Sequence, residues 1–236
     1  MRVFAGPNGS GKTTIVKNLM SEVPFGIYVN ADDIEKIMHQ TKVLLFDSYN
    51  LKVQQEELQT FFRNSTFAPV KRNEPNLWEK LTVKDNLLHT TAEIDSYLAA
   101  DIAEFIRQRL LHDGQSFTYE TVMSHEGKID FLKRAQELDC RVYLYYVATE
   151  DPEINVSRVK LRVAQDGHNV KEEDIRNRYY KSLKQLKSAV KLSNRAYIFD
   201  NSGKVSLLIA EVTDGEDVTI IDTKVIPNWL VTYLVN

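Results

Sequence analysis

Cysteine is nearly absent. Cys140 is the only one in 236 residues, so no intrachain disulfide can brace the fold, and a thiol lying just before an apolar strand is expected to be buried and structural. That usage fits a reducing cytoplasm. The chain has no run of about 18 apolar residues that could span a bilayer. Its N-terminal apolar stretch is broken too early to form a signal-peptide core, so no membrane partner is predicted. A large excess of one charge is also missing. Lys and Arg number 30 against 33 Asp and Glu, a formal net charge of −3, which gives no long-range attraction to nucleic acid or anionic lipid. His and Cys form no metal-ligand cluster, and there is no internal repeat, low-complexity tract or linker. What is present is ordinary globular usage, 43% hydrophobic and 27% charged. It is enough for one well-buried α/β domain with insertions.

One stretch organises the rest. Met1-Arg-Val-Phe4 is a short apolar run, and Gly6-Pro-Asn-Gly-Ser-Gly11-Lys12-Thr13-Thr14 follows it, filling the phosphate-loop pattern G-x-x-x-x-G-K-[ST] without mismatch. Backbone N–H groups can wrap a phosphate chain only where side chains do not block approach, hence Gly6, Gly9 and Gly11. Lys12 would reach the outer phosphates. A helix is predicted over Thr14 to Met20, with Thr13 at its start, where free N–H groups and the dipole favour an anion. The Thr13 hydroxyl would ligate magnesium. Gly6, Asn8, Gly9, Ser10, Gly11, Lys12, Thr13 and Thr14 are therefore read as the nucleotide-binding set.

Farther along, Phe25 to Val29 reads as a strand ending in Asn30-Ala31-Asp32-Asp33. In open parallel sheets the ligand crevice lies outside the carboxyl ends of the strands, so one aspartate would face the terminal phosphate while the other could cap the helix Ile34 to Gln40. Residues 41 to 90 read as an insertion, helical over Tyr49 to Phe62 and loop over Ala68 to Trp78, where two prolines fall. A helix from Ser96 stops at Gly114. Gln115 to Tyr119 reads as a strand with Glu120 at its end, where a carboxylate could bind magnesium through water, hold a substrate hydroxyl or cap the following turn. The helix Lys128 to Leu138 follows, and His125 before it reads as a turn or capping residue. Arg141 to Val147 is an apolar run that barely alternates, predicting a central strand. Thr149 is expected to cap a helix over Glu153 to Gln165, with Pro152 in its first turn. That helix carries Arg158 and Arg162 on one face. A turn at Asp166 to Asn169 leads to a helix from Lys171 to about Leu192 bearing Arg176 and Arg178. An arginine-bearing helix pair of this kind, about residues 153 to 192, could close over phosphates as a lid. Arg195 to Phe199 is another strand, ending in Asp200-Asn201-Ser202. A hairpin about Asp214-Gly215 and a short helix with Trp229 finish the chain.

Taken together, Gly6 to Thr14, Asn30 to Ile34, Phe117 to His125, Arg162 to Val170, Ile175 to Tyr179 and Asp200 to Ser202 resemble the zeta toxin family of P-loop kinases, in its chromosomal zeta-like branch. The resemblance spans roughly residues 1 to 203. It implies a single kinase-like α/β domain over residues 1 to 236: a parallel sheet flanked by helices, with the insertion, the lid and a C-terminal hairpin. It also implies a kinase that uses ATP or GTP with magnesium to phosphorylate a hydroxyl of a small substrate. In the characterised toxins this is the 3′-hydroxyl of UDP-N-acetylglucosamine. Lys12 and Thr13 then match the phosphate lysine and the magnesium ligand, Asp32 the catalytic base and Glu120 a substrate-binding glutamate. Arg162 and Arg178 match the catalytic lid arginines, with Arg158 and Arg176 left open by the spacing. Arg158 is also a candidate contact for a substrate diphosphate. After the glutamate this chain carries Thr121-Val122, where the toxins have Gly-Thr. An antitoxin protein is the partner that the resemblance implies. Kinases of another hydroxyl compound and nucleotide-gated binding proteins would share the same loop.

Overall fold

The computed structural model describes residues 1–165, 170–221 and 226–235, so the turn expected at 166–169 lies outside the described residues. In chain order the elements are β1 (Arg2–Ala5), α1 (Lys12–Leu19), β2 (Ile27–Val29), α2 (Ala31–Thr41), β3 (Val43–Leu45), α3 (Gln55–Asn64), α4 (Ala68–Lys71), β4 (Leu81–Lys84), β5 (Leu87–Thr90) and α5 (Ser96–His112). They continue with β6 (Phe117–Thr121), α6 (Gly127–Glu137), β7 (Tyr143–Ala148), α7 (Pro152–Val163), α8 (Glu172–Lys191), β8 (Arg195–Asp200), β9 (Leu207–Thr213), β10 (Asp217–Ile220) and α9 (Asn228–Leu230). The main sheet has seven strands in the order β10-β9-β8-β7-β1-β6-β2. It is a largely parallel α/β sheet, as the alternation of apolar runs and helical periods predicts. The chain forms two compact units, residues 1–25 with 118–236, and residues 26–117.

In the first unit β7 pairs in parallel with both β1 and β8 and stands fourth of the seven strands, so the run at Arg141 to Val147 is central as expected. From Leu144 to Ala148 every residue is buried, because a parallel strand covered on both faces has no solvent side. Phe4, Tyr145 and Tyr197 fall in one register row. Their rings stack at 4.5 Å between Phe4 and Tyr145 and at 5.0 Å between Tyr145 and Tyr197, a cross-strand ladder that locks this register. The hairpin β9–β10 is antiparallel, with Asp214 and Gly215 both at positive φ. Helices α7 and α8 meet through Val156, Val159 and Ile175. Cys140 is only half-buried, and the chain's amino terminus donates to its sulfur at 3.4 Å. The expected full burial fails because Cys140 lies in the turn between α6 and β7, outside the sheet.

The second unit holds the insertion. Its core gathers Phe46, Leu58, Phe62, Leu77, Leu81, Phe105 and Ile106, with Phe105 meeting Phe46 and Phe61 edge-on. Of the helix expected over Tyr49 to Phe62 only the part from Gln55 forms, as α3, and α4 begins at Ala68 in the stretch expected to be loop, with Pro69 in its first turn. The unit also contains a three-stranded antiparallel sheet, β3-β5-β4, that apolar periodicity did not reveal. These strands are three or four residues long, too short for a period of two to stand out. A signal was nevertheless present. Asp85 and Asn86, both at positive φ, link β4 to β5 as a two-residue turn of the kind that Asp and Asn favour between strands.

Candidate active site

The phosphate loop leaves the buried end of β1 and passes into α1. The helix begins at Lys12, two residues earlier than the apolar spacing placed it. Gly11 is the residue before it, at φ 97°, and supplies no side-chain cap. Thr14 and Ile15 N–H both bond to Gly11 O. A first helical turn without a side-chain cap keeps donors available at the positive end of the dipole. Lys12 Nζ donates to Gly6 O at 2.8 Å and Pro7 O at 2.9 Å, so its ammonium lies against the loop.

Glu120, one residue before the end of β6, meets the next member of the motif. Thr13 Oγ1 donates to its carboxylate at 3.0 and 3.3 Å. A hydroxyl and a carboxylate side by side are hard oxygen donors, the set that magnesium prefers alongside phosphate oxygens. No group of three or more His, Cys, Asp or Glu that could hold a metal by itself occurs among the described residues.

Two asparagines that the sequence reading gave no role contact the loop from outside. Asn155 on α7 donates Nδ2 to Asn8 O at 2.6 Å, and Asn201, directly after β8, donates Nδ2 to Ser10 O at 2.7 Å. Asn155 could have been flagged: it lies four residues before Val159 on the buried stripe of α7, an odd place for an amide with no partner in the sequence. Thr149 is not the cap of α7. Asp151 is, accepting from Glu153 N at 2.8 Å, while buried Thr149 bonds to Asn155 Oδ1. Pro152 takes the first helical position as expected. His125 closes a turn by accepting at Nδ1 from Gly127 N.

The arginines divide. Arg158 Nη2 donates to Gly203 O at 3.1 Å, and its Nη1 is buried without a hydrogen-bond partner among the described residues. Arg176 is bidentate to Glu153, at 2.6 and 2.9 Å, and reaches Glu172 at 3.0 Å. Those bonds hold the Glu153 carboxyl below its ordinary range, and Lys160 with Arg176 does the same for Glu172. Arg162 lies exposed near the end of α7, and Arg178 is half-buried on α8.

In the second unit Asn30 caps α2, its Oδ1 accepting from Asp32 N at 2.9 Å. Neither aspartate is therefore needed as the cap, and both sit in the first helical turn, where the dipole favours their charge. Burial, then the charge of Asp32, pushes the Asp33 carboxyl up, with Lys36 opposing. Burial, then the Asp33 charge, pushes Tyr49 up to about 12.

No protein family model and no curated protein matches this chain. Among solved structures it is similar to the AvrRxo1-ORF1:AvrRxo1-ORF2 complex with sulphate ions, at TM-score 0.53 and 12% identity over 94% of this chain and 61% of that one. It is similar to the same pair with ATP, at TM-score 0.54 and 13% identity over 94% and 60%. A third likeness is to the PezAT chromosomal toxin-antitoxin system of the human pathogen Streptococcus pneumoniae, at TM-score 0.52 and 14% identity over 100% and 78%. The chain thus spans about three-fifths of the length of the AvrRxo1 chains it matches. At these identities the likeness is one of fold, an α/β architecture with a largely parallel sheet flanked by helices.

Proposed function

We propose that this chain is an ATP-dependent kinase that transfers the γ-phosphoryl group to a hydroxyl of a small substrate. The observation that carries the reading is the Thr13 hydroxyl hydrogen-bonded to the Glu120 carboxylate, directly beside Lys12 in an intact phosphate loop. In phosphoryl transfer the protein chiefly positions reactants and offsets charge. Lys12 would leave the Gly6 and Pro7 carbonyls for the outer phosphates. Thr13 and Glu120 would hold magnesium, whose contribution is to neutralise charge on the phosphate oxygens. Asp32 would accept the proton of the acceptor hydroxyl as its oxygen bonds to phosphorus and ADP departs. Arg162 and Arg178 would meet the charge that develops on the transferring group. Arg176, already shared between two carboxylates, serves better as a strut between α7 and α8. Arg158, turned toward Gly203, remains a candidate phosphate contact.

The acceptor proposed is UDP-N-acetylglucosamine, on the resemblance to zeta toxins. The fold likeness to the PezAT toxin-antitoxin system supports an antitoxin as partner. Incubation with ATP, magnesium and UDP-N-acetylglucosamine should give a product carrying one added phosphate by mass spectrometry. ADP release that rises only with a different hydroxyl compound would retain the kinase and replace the acceptor. A low rate indifferent to every acceptor would mark a nucleotide-gated binding protein.

A further inference from the structure

The phosphate loop is gripped from outside at two alternate carbonyls. Asn155 Nδ2 holds Asn8 O and Asn201 Nδ2 holds Ser10 O. A carbonyl oxygen only accepts, so each amide nitrogen must face the loop. Asn155 is fully buried, and its Oδ1 is engaged by Thr149 Oγ1. Asn201 is anchored through its own N–H to Ala148 O at 2.8 Å.

Because a trans peptide is planar, its C=O and the following N–H point in opposite directions. Fixing Asn8 O outward therefore turns Gly9 N–H inward, and fixing Ser10 O outward does the same for Gly11 N–H. The hydrogen bonds agree. Ser10 N–H is spent on Pro7 O, whereas Gly9 and Gly11 N–H donate to no group among the described residues. The same two residues leave no room for a side chain at either glycine. A Cβ on Gly9 would lie 2.6 Å from Asn155 backbone O, and one on Gly11 would lie 2.1 Å from Asn201 Nδ2.

We propose that Asn155 and Asn201 are positioning residues that pre-aim the Gly9 and Gly11 N–H groups at a bound phosphate chain. The inference rests on the loop being a phosphate site and adds what sets its shape. Preorganised donors bind an anion without first reorganising, so loosening them weakens phosphates and nothing else.

The test compares magnesium ADP, inorganic tripolyphosphate and adenosine, by calorimetry, on wild type, Asn155→Ala, Asn201→Ala and Lys12→Ala. Each asparagine variant should bind ADP and tripolyphosphate about five- to tenfold more weakly, the loss expected of one neutral hydrogen bond, with adenosine unchanged. KM for ATP should rise by a like factor while kcat moves less. Asn155 is fully buried, so its variant could fail to fold; Asn201 is partly exposed and decides alone in that case. Folded asparagine variants that bind tripolyphosphate like wild type, while Lys12→Ala does not, would overturn this inference and keep the phosphate site. Equal weakening of adenosine would also overturn it, since a general loosening of the fold would then suffice. A wild type that binds neither phosphate ligand removes the phosphate site and the inference with it.

Discussion

Asp32 and Asp33 are adjacent, yet their surroundings differ. The Asp33 carboxyl is pushed up, by burial and then by the Asp32 charge. A carboxyl raised on folding favours the fold below its ordinary pKa, and that contribution is lost as pH rises through the raised value. Ionised Asp33 is thus a small cost at neutral pH, and Asp33→Asn should melt no lower than wild type at pH 7. Asp32, the proposed base, should behave differently. Asp32→Asn should keep ATP affinity and lower turnover on the order of a hundredfold, the usual worth of a positioned base, with Asp33→Asn milder. Turnover measured with saturating acceptor checks the order, and the reverse order would move the base one residue along. The sequence placed both carboxylates at a strand end. It could not reveal that Asn30 relieves them of capping, because Asn and Asp cap helices about equally well.

The pair α7–α8 shows how an element can look catalytic in sequence and carry several duties in the fold. Its arginines recur at helical spacing, but only geometry separates them, since Arg176 finds Glu153 on the facing helix while Arg158 finds Gly203. Glu153 and Glu172 are held below their ordinary range. Their pairing therefore stabilises above that range and is lost as pH falls through the depressed values. Arg176→Gln should melt slightly below wild type at pH 7 in low salt. The gap should narrow as pH falls below the ordinary carboxylate range, and also in about 1 M salt, where exposed charges are screened. ATP affinity should be unchanged in this variant. A tenfold loss would make Arg176 a phosphate ligand and the strut assignment wrong. The apolar side of α8 was legible, since Ile175, Tyr179, Leu183, Leu186 and Val190 repeat every three or four residues and all are buried.

For the molecule as a whole, the proposed cation belongs to the chemistry and not to the fold. Chelating divalent cations with EDTA should abolish acceptor-dependent ADP release, added magnesium should restore it, and the melting temperature should stay within about a degree, since a ligand stabilises only with the logarithm of its excess over its dissociation constant. A large fall in melting temperature on chelation would instead identify a structural metal. The sequence by itself determined the strand, glycine-rich loop and helix from Arg2 to Leu19, the central strand β7 and the helices α7 and α8. Each of these is written in a local period or in contiguous spacing, which the backbone's own geometry enforces. Only the tertiary structure decided the rest. Asn155 and Asn201 reach carbonyls 147 and 191 residues away in the chain, Trp229 Nε1 finds the buried Asp200 carboxylate at 3.0 Å, and the strands β3, β4 and β5 are stable only beside one another. Such pairings depend on loop closure and on which polar groups must be satisfied once buried, and neither leaves a periodic mark on the residues that take part.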